Sequence, residues 1–264
     1  MNEDIDDRQI DQQMLRMSRR SFVWGGVAVA GVLAGRQWLI SREENNGMIY
    51  PLRRGLEFNE AISRKIFRRG QLAATFDTSE AADPRANGDD GLSAEFDAST
   101  WQLNIVGVHG KSSPVTIGMD EIRALPKVDM VTELKCIEGW SQVVHWTGAR
   151  LIDLMEKYPP TTRTGKAPDV RKSPEELVEY VGMVTPDGGY YVGLDMESAI
   201  HEQTLLCYEM NGKPLTDEHG APLRLAIPVK YGIKNIKRIG TITYASTKPA
   251  DFWAERGYDW YAGH

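Results

Sequence analysis

The sequence predicts an α+β domain with mixed sheets and short helices, and three observations carry that prediction. Short apolar segments dominate the chain from Trp101 onward, and several alternate apolar with polar residues, the mark of half-buried strands. Only short helical patterns interrupt them. Neither G-x-G-x-x-G nor G-x-x-x-x-G-K-[ST] occurs, so nothing supports a Rossmann or P-loop site.

The first residues read as an address. The leader "NEDIDDRQIDQQ" is polar, lacks aromatics and is expected to be disordered. Arg19 and Arg20 follow a serine, Phe22 comes two positions after the pair, and a Gly/Ala/Val run begins. That pattern looks like a twin-arginine export signal. The uncharged run from Ser21 to Gly35 is 15 residues, short of the roughly 20 that a membrane span needs. It reads as a signal core, while "RQWLI" extends it enough to keep a retained membrane anchor open. Twin-arginine export carries folded proteins, so a cofactor site is expected further on.

The segment "RRGLEFNEAISRKIFRRG" reads as a helix, with Leu56, Ile62 and Ile66 near helical spacing. The polar "DTSEAADPRANGDDG" reads as a long surface loop. "WQLNIVGV" alternates like a strand, and "MDEIRALP" is a short helix stopped by Pro126. "VDMVTELKC" reads as a strand ending at Cys136. "TGARLIDLMEKYPP" reads as an amphipathic helix capped by Thr147, with Leu151, Leu154 and Met155 on its apolar face and Pro159 as its stop. "EELVEYVGMVT", "TLLCYEM", "LRLAIPV" and "IGTITYA" read as further strands, with "MNGKP" as a turn. The aromatic tail, with Trp253 and Trp260, is expected to dock on the core.

Composition excludes some functions. The net charge of −6 at pH 7 leaves no dominant basic stripe, so a nucleic-acid partner is not expected. Two cysteines supply neither a disulfide framework nor a four-thiolate metal site, although one disulfide stays open. Cys207 lies in apolar surroundings and reads as core. Cys136 is preceded by Lys135, a neighbour that favours thiolate, and is followed by polar Glu138, Ser141 and Gln142. Three readings compete. It is a nucleophile paired with His145, or a zinc ligand for which the five histidines offer no suitable spacing, or the only protein thiolate on a metal held mainly by an organic cofactor.

Two blocks carry a resemblance. "CIEGWSQVVHWTG" and "CYEMNGKPLTDEHGAPLRLAIPVKYGIKNIKRI" resemble, in order, the molybdenum-binding and cofactor-cradling segments of the sulfite oxidase superfamily. They are nearest the bacterial periplasmic methionine-sulfoxide reductase catalytic subunits. The similarity spans residues 101 to 247. It implies a single sulfite-oxidase-type domain binding a molybdenum-molybdopterin cofactor. Cys136 is then the metal's protein thiolate, a soft donor for a sulfur-rich shell. Thr185, His219, Arg224, Asn235, Ile236 and Lys237 fall on cofactor-binding positions, with Arg224 and Lys237 suited to a phosphate. Gly232 lets the chain approach the ligand, and Lys230 and Lys234 add positive field. The family's N-terminal asparagine falls on either Asn59 or Asn87. Tyr190 is a catalytic candidate that can give a proton or hydrogen bond to a moving oxygen.

Departures refine the expectation. Sulfite-oxidising members carry arginines after the cysteine where this chain has "EGW", and Glu138 receives a dianion poorly. His145 stands where the sulfoxide reductases have a proline. The resemblance therefore implies an exported, periplasmic oxidoreductase that moves an oxygen atom and two electrons, reducing a small sulfoxide- or N-oxide-like molecule. A sulfite-type dehydrogenase and a non-catalytic partner of a membrane cytochrome are the alternatives. No C-x-x-C-H heme motif is present, so a membrane heme or quinol-linked donor is expected. The expected layout is a signal and linker over 1–45, an arm packed on the core over 46–100, and the cofactor domain over 101–264 without a C-terminal immunoglobulin-like domain.

Overall fold

The structure is a computed structural model and describes residues 7–45, 47–93 and 95–264. The chain divides into two compact units, Met1–Gly55 and Leu56–His264. In the first, helix α1 (Asp7–Ile40) is followed by a small hairpin of β1 (Glu44–Asn45) and β2 (Met48–Ile49). The acidic leader differs from expectation, since it is helical from Asp7; residues 2–6 lie outside the described residues. Among the described residues one helix is long and apolar enough to cross a membrane, the 22 residues Arg19–Ile40, with no part buried. The helix continues past Arg36 because Trp38, Leu39 and Ile40 prolong the apolar run. Its length at about 1.5 Å per residue matches a hydrocarbon core of about 30 Å. A signal sequence passes the same test.

Helix α2 (Tyr50–Ile66) leads into the second unit. That unit holds β3 (Leu103–Val106), β4 (Val115–Ile117), α3 (Met119–Arg123), β5 (Lys127–Lys135), β6 (Ser141–Arg150), α4 (Leu151–Lys157), β7 (Tyr180–Val184), β8 (Tyr191–Asp195), α5 (Met196–Ala199), β9 (Leu205–Met210), β10 (Lys213–Pro214), β11 (Arg224–Ala226) and β12 (Thr241–Ala245). One sheet runs β10–β9–β6–β5, with β11 also on β9. The other runs β4–β3–β12–β7–β8, antiparallel except for the parallel β3/β12 pair. A core cluster joins both sheets and α4 through residues such as Ile105, Leu154, Met183, Leu225 and Ile242. The α+β expectation therefore holds.

The expected helix from Thr147 begins later. The β5/β6 hairpin keeps its register as far as Lys127↔Ala149, so residues 147–150 are strand and the helix starts at Leu151. Thr147 does not cap it; its hydroxyl donates to the Asp129 carboxylate at 2.5 Å. Strands β6 and β8 are among those the sequence did not predict, because polar Ser141, Gln142 and His145, and the paired Tyr190 and Tyr191, blur their alternation.

The segment before Trp101 runs along the first sheet. Thr75 bridges Thr132, the Phe76 N–H donates to Val131 O at 3.1 Å, and the Ala82 N–H donates to Val143 O at 3.1 Å. At the other end, the Phe252 N–H donates to Tyr191 O at 3.0 Å and Trp260 Nε1 donates to Pro249 O at 2.9 Å. Trp260 and Tyr261 are buried, so the tail is docked.

Lys230 and Lys234 correct the expectation of strand-edge charges aiding a phosphate. Both are fully buried behind the second sheet's edge. Lys234 Nζ donates to Asp251 Oδ2 at 2.5 Å and to Gly193 O at 2.9 Å. Lys230 Nζ sits 3.5 Å from Asp195 Oδ1 and 2.8 Å from the Tyr261 ring centroid. Their charge is spent on the tail and strand β8.

Candidate active site

Strand alternation decides which β5 and β6 side chains share a face. Leu134 and Cys136 from β5 and its end, with Gln142, Val144 and Trp146 from β6, line one cavity of about 330 Å³. That volume lies in the range of cofactor and small-molecule sites. The turn after Cys136 closes with the Gly139 N–H donating to Cys136 O at 3.2 Å, and the Cys136 N–H donating to Trp140 O at 2.9 Å. Gly139 has φ +88°, a conformation that a side chain resists, so the turn needs glycine there.

Alternation also removes two sequence expectations. Lys135 points to the other face and pairs with Glu133 at 3.7 Å, so it gives Cys136 no help. Burial, with the Glu138 carboxylate contributing, pushes the Cys136 thiol above its ordinary range. His145 lies on the face opposite Val144 and Trp146, with Nε2 3.1 Å from Asp129 Oδ1. No Cys136–His145 dyad forms. A thiol with a raised pKa and no base is a poor nucleophile, yet a metal ion deprotonates such a sulfur outright. No group of three or more His, Cys, Asp or Glu among the described residues could hold a metal without further ligands. Cys207 is fully buried in the core, its thiol pushed up to about 12 by burial, and both cysteines are free.

The opposite wall comes from β11 and the loop after it. Arg224 is buried; its Nη1 donates to His219 O at 3.1 Å and its Nη2 to Asn235 O at 3.3 Å. Its Nε has no hydrogen-bond partner among the described residues. Burial lowers the guanidinium pKa to about 10. A desolvated cation with a spare donor is costly unless something anionic meets it. Lys237 Nζ donates to Asn87 O at 3.0 Å and Gly88 O at 2.8 Å, and burial, then Arg224, lowers its pKa to about 8. His219 lines the cavity too, its ring held toward the neutral form by burial and Arg224.

The remaining sequence candidates divide. Asn235 lines the cavity, but its side chain is committed: Oδ1 accepts from the Ile227 N–H at 2.8 Å and Nδ2 donates to Tyr231 O at 3.2 Å. It shapes the loop and holds Arg224. Ile236 lies in the core, off the cavity wall, with its carbonyl accepting from the Leu225 N–H. Thr185 is also off the wall. Its hydroxyl donates to Asp187 Oδ1 at 2.6 Å and accepts from the Tyr190 N–H at 3.1 Å, closing the turn that presents Tyr190. Tyr190 lines the cavity, donates to Ile233 O at 2.6 Å, and is held protonated well above its ordinary range by burial. Gly232 is on the wall. Of the two asparagines, Asn59 is exposed on α2, whereas Asn87 Nδ2 lies 3.8 Å from Cys136 Sγ.

Sequence reasoning missed much of the rim. Arg85, stacked 4.8 Å over the Trp140 ring, comes from the segment read as a surface loop. Trp253 and Tyr258 come from the tail, packed edge-to-face at 5.1 Å. The tail's aromatic density was the only available signal.

A single thiol on one wall and two close-set cations on another, one with an unpaired N–H, suit a protein that binds an anionic organic cofactor. The residues present fit such a group. The sequence profile of the oxidoreductase molybdopterin-binding domain family matches residues 91–253, and the chain belongs to that family. Among curated proteins it is 31% identical over 210 residues to a putative protein-methionine-sulfoxide reductase subunit of Azospira oryzae, covering 78% of this chain and 73% of that one. It is 33% identical over 156 residues to a protein-methionine-sulfoxide reductase catalytic subunit of Xanthomonas campestris, covering 59% of this chain and 48% of that protein. The chain thus spans about half the length of that second relative. Among solved structures, the sulfane dehydrogenase SoxCD of Paracoccus pantotrophus superposes with a TM-score of 0.48 at 17% identity, over 58% of this chain and 40% of that one.

Proposed function

We propose that the protein is the catalytic subunit of an exported molybdopterin-dependent reductase acting on a neutral sulfoxide- or N-oxide-like substrate. The observation that carries this reading is the lone Cys136 thiol facing the same cavity as the partly unpaired Arg224. Cys136 would hold the molybdenum, and Arg224 and Lys237 would hold the phosphate of the pterin. When bound, the cofactor supplies a two-electron metal centre able to accept an oxygen atom. The overall reaction takes a sulfoxide, two electrons and two protons to a thioether and water.

The chain's own groups account for the rest. The Tyr190 phenol stays protonated and can turn its O–H from Ile233 O toward a substrate oxygen. Glu138 is exposed at the rim, where its charge disfavours sulfite-like dianions. Trp140, Trp253 and Tyr258 give the entrance aromatic walls suited to a neutral, partly apolar substrate. The names of the relatives point to a methionine sulfoxide. Export by the twin-arginine route to the periplasm, with electrons from a membrane heme or quinol-linked partner, completes the reading.

The test uses protein purified from a host that makes molybdopterin. Stoichiometric molybdenum and reduction of methionine sulfoxide by dithionite through a viologen mediator are expected. Cys136→Ser should lose at least a hundredfold in turnover while remaining folded, because one hydroxyl replaces one thiol (~100-fold). Absence of molybdenum, or full activity in Cys136→Ser, overturns the assignment.

A further inference from the structure

Helix α2 wears its polarity inside out. A surface helix in water turns its apolar stripe to the core and its charges outward. From Leu56 onward α2 does the reverse. Glu60 is 8% exposed and accepts from Lys248 Nζ at 2.7 and 3.0 Å, with Arg64 Nε 3.5 Å away. Arg64 lies over the Tyr180 and Trp260 rings at 5.5 and 5.8 Å. Phe58, Ile62 and Ile66, spaced i, i+4, i+8, form an outward stripe at 66%, 43% and 66% exposure, and Leu72 follows at 55%.

We propose that this stripe lies on an anionic lipid surface, setting the catalytic unit down on the membrane. Two further observations choose lipid over a protein groove. Lys65 and Arg68 are exposed beside the stripe, whereas Glu57 is half-buried and Glu60 buried, so the exposed charge there is positive in a chain of net −6. Apolar side chains flanked by cations are what an interfacial helix presents to acidic headgroups. In sequence, the membrane-length helix Arg19–Ile40 precedes the stripe in the same chain, so a lipid surface is a partner that the chain itself provides for. The proposal is independent of the cofactor reading, since the stripe and the cavity share no residue.

The test reconstitutes the full chain in phosphatidylcholine vesicles, with or without phosphatidylglycerol, carrying nitroxide-labelled lipid. Ile62→Cys is labelled with an environment-sensitive fluorophore, the unsubstituted chain serving as blank for the two buried native cysteines. The expected result is quenching several-fold stronger than at Lys172→Cys on an exposed turn, and stronger still with the anionic lipid. With a Leu72→Cys reporter, adding Phe58→Ser and Ile66→Ser should reduce quenching about tenfold without changing the melting temperature. Quenching at Ile62→Cys no greater than at Lys172→Cys overturns the proposal. So does quenching that appears only when a membrane protein is added, which assigns the stripe to a protein partner. A lowered melting temperature in the serine variant overturns it too, because the stripe would then be part of the core.

Discussion

Lys234→Met tests how the tail is held over the cavity. The lysine is fully buried, and its ammonium bridges Asp251 Oδ2 at 2.5 Å and Gly193 O at 2.9 Å. Asp251 in turn accepts from the Gly193 N–H at 3.1 Å and the Ala254 N–H at 3.0 Å, which starts the turn carrying Trp253 to the rim. Methionine fills much of the lysine's volume, so little cavity forms; the loss is the charge partner of a buried carboxylate. Breaking such a pair costs about 3–5 kcal/mol. In a unit of this size each kcal/mol lowers the melting temperature by about 2–4 °C, so a fall of ~6–20 °C is expected by differential scanning calorimetry. Burial outweighs Asp251 and lowers the lysine's pKa, which places the loss toward the smaller end. Replacing both partners, Lys234→Met with Asp251→Leu, should recover part of it, with the two Asp251 backbone bonds unrecovered. A single variant that melts within ~2 °C of the parent refutes the idea that this pair locks the tail.

Other perturbations act nearby. A Cβ at Gly193 would stand 2.5 Å from Trp260 Cζ2, so Gly193→Ala must displace the indole and strain its bond to Pro249; a loss of about 1–3 kcal/mol in urea unfolding is expected. Arg224→Met removes a desolvated cation whose Nε is unpaired, so stability should change by less than ~2 kcal/mol while pterin retention, read from oxidised-pterin fluorescence, falls at least tenfold (~10-fold). The pKa of Lys237 is about 8, lowered by burial and then by Arg224. Well below pH 8 the group is charged and adds no pH dependence of its own to phosphate binding. Above pH 8 binding must take up a proton, so affinity for inorganic phosphate in calorimetry should fall by up to ~10-fold per pH unit. Lys237→Met should abolish that slope; a flat profile in the parent refutes it.

The sequence by itself determined the local features. The strand pattern placed Cys136 at the end of β5, one residue past its last strand position, the chain's two cysteines left that thiol without thiol partners for a zinc cluster, and the "APLRL" and "KNIK" blocks carried the cofactor-binding resemblance. These are legible because spacings of two and four residues write strand and helix faces directly into the chain. Tertiary structure alone decided which distant side chains meet. It put Asn87 rather than Asn59 beside Cys136, sent Lys230 and Lys234 into the interior, and brought Trp253 and Tyr258 to the rim. It also turned the apolar stripe of α2 outward, where helical spacing alone could not say which way it faced. The physical reason is the same in each case. A side chain's partner across the fold depends on how whole sheets and loops pack, and no short window of sequence contains that information.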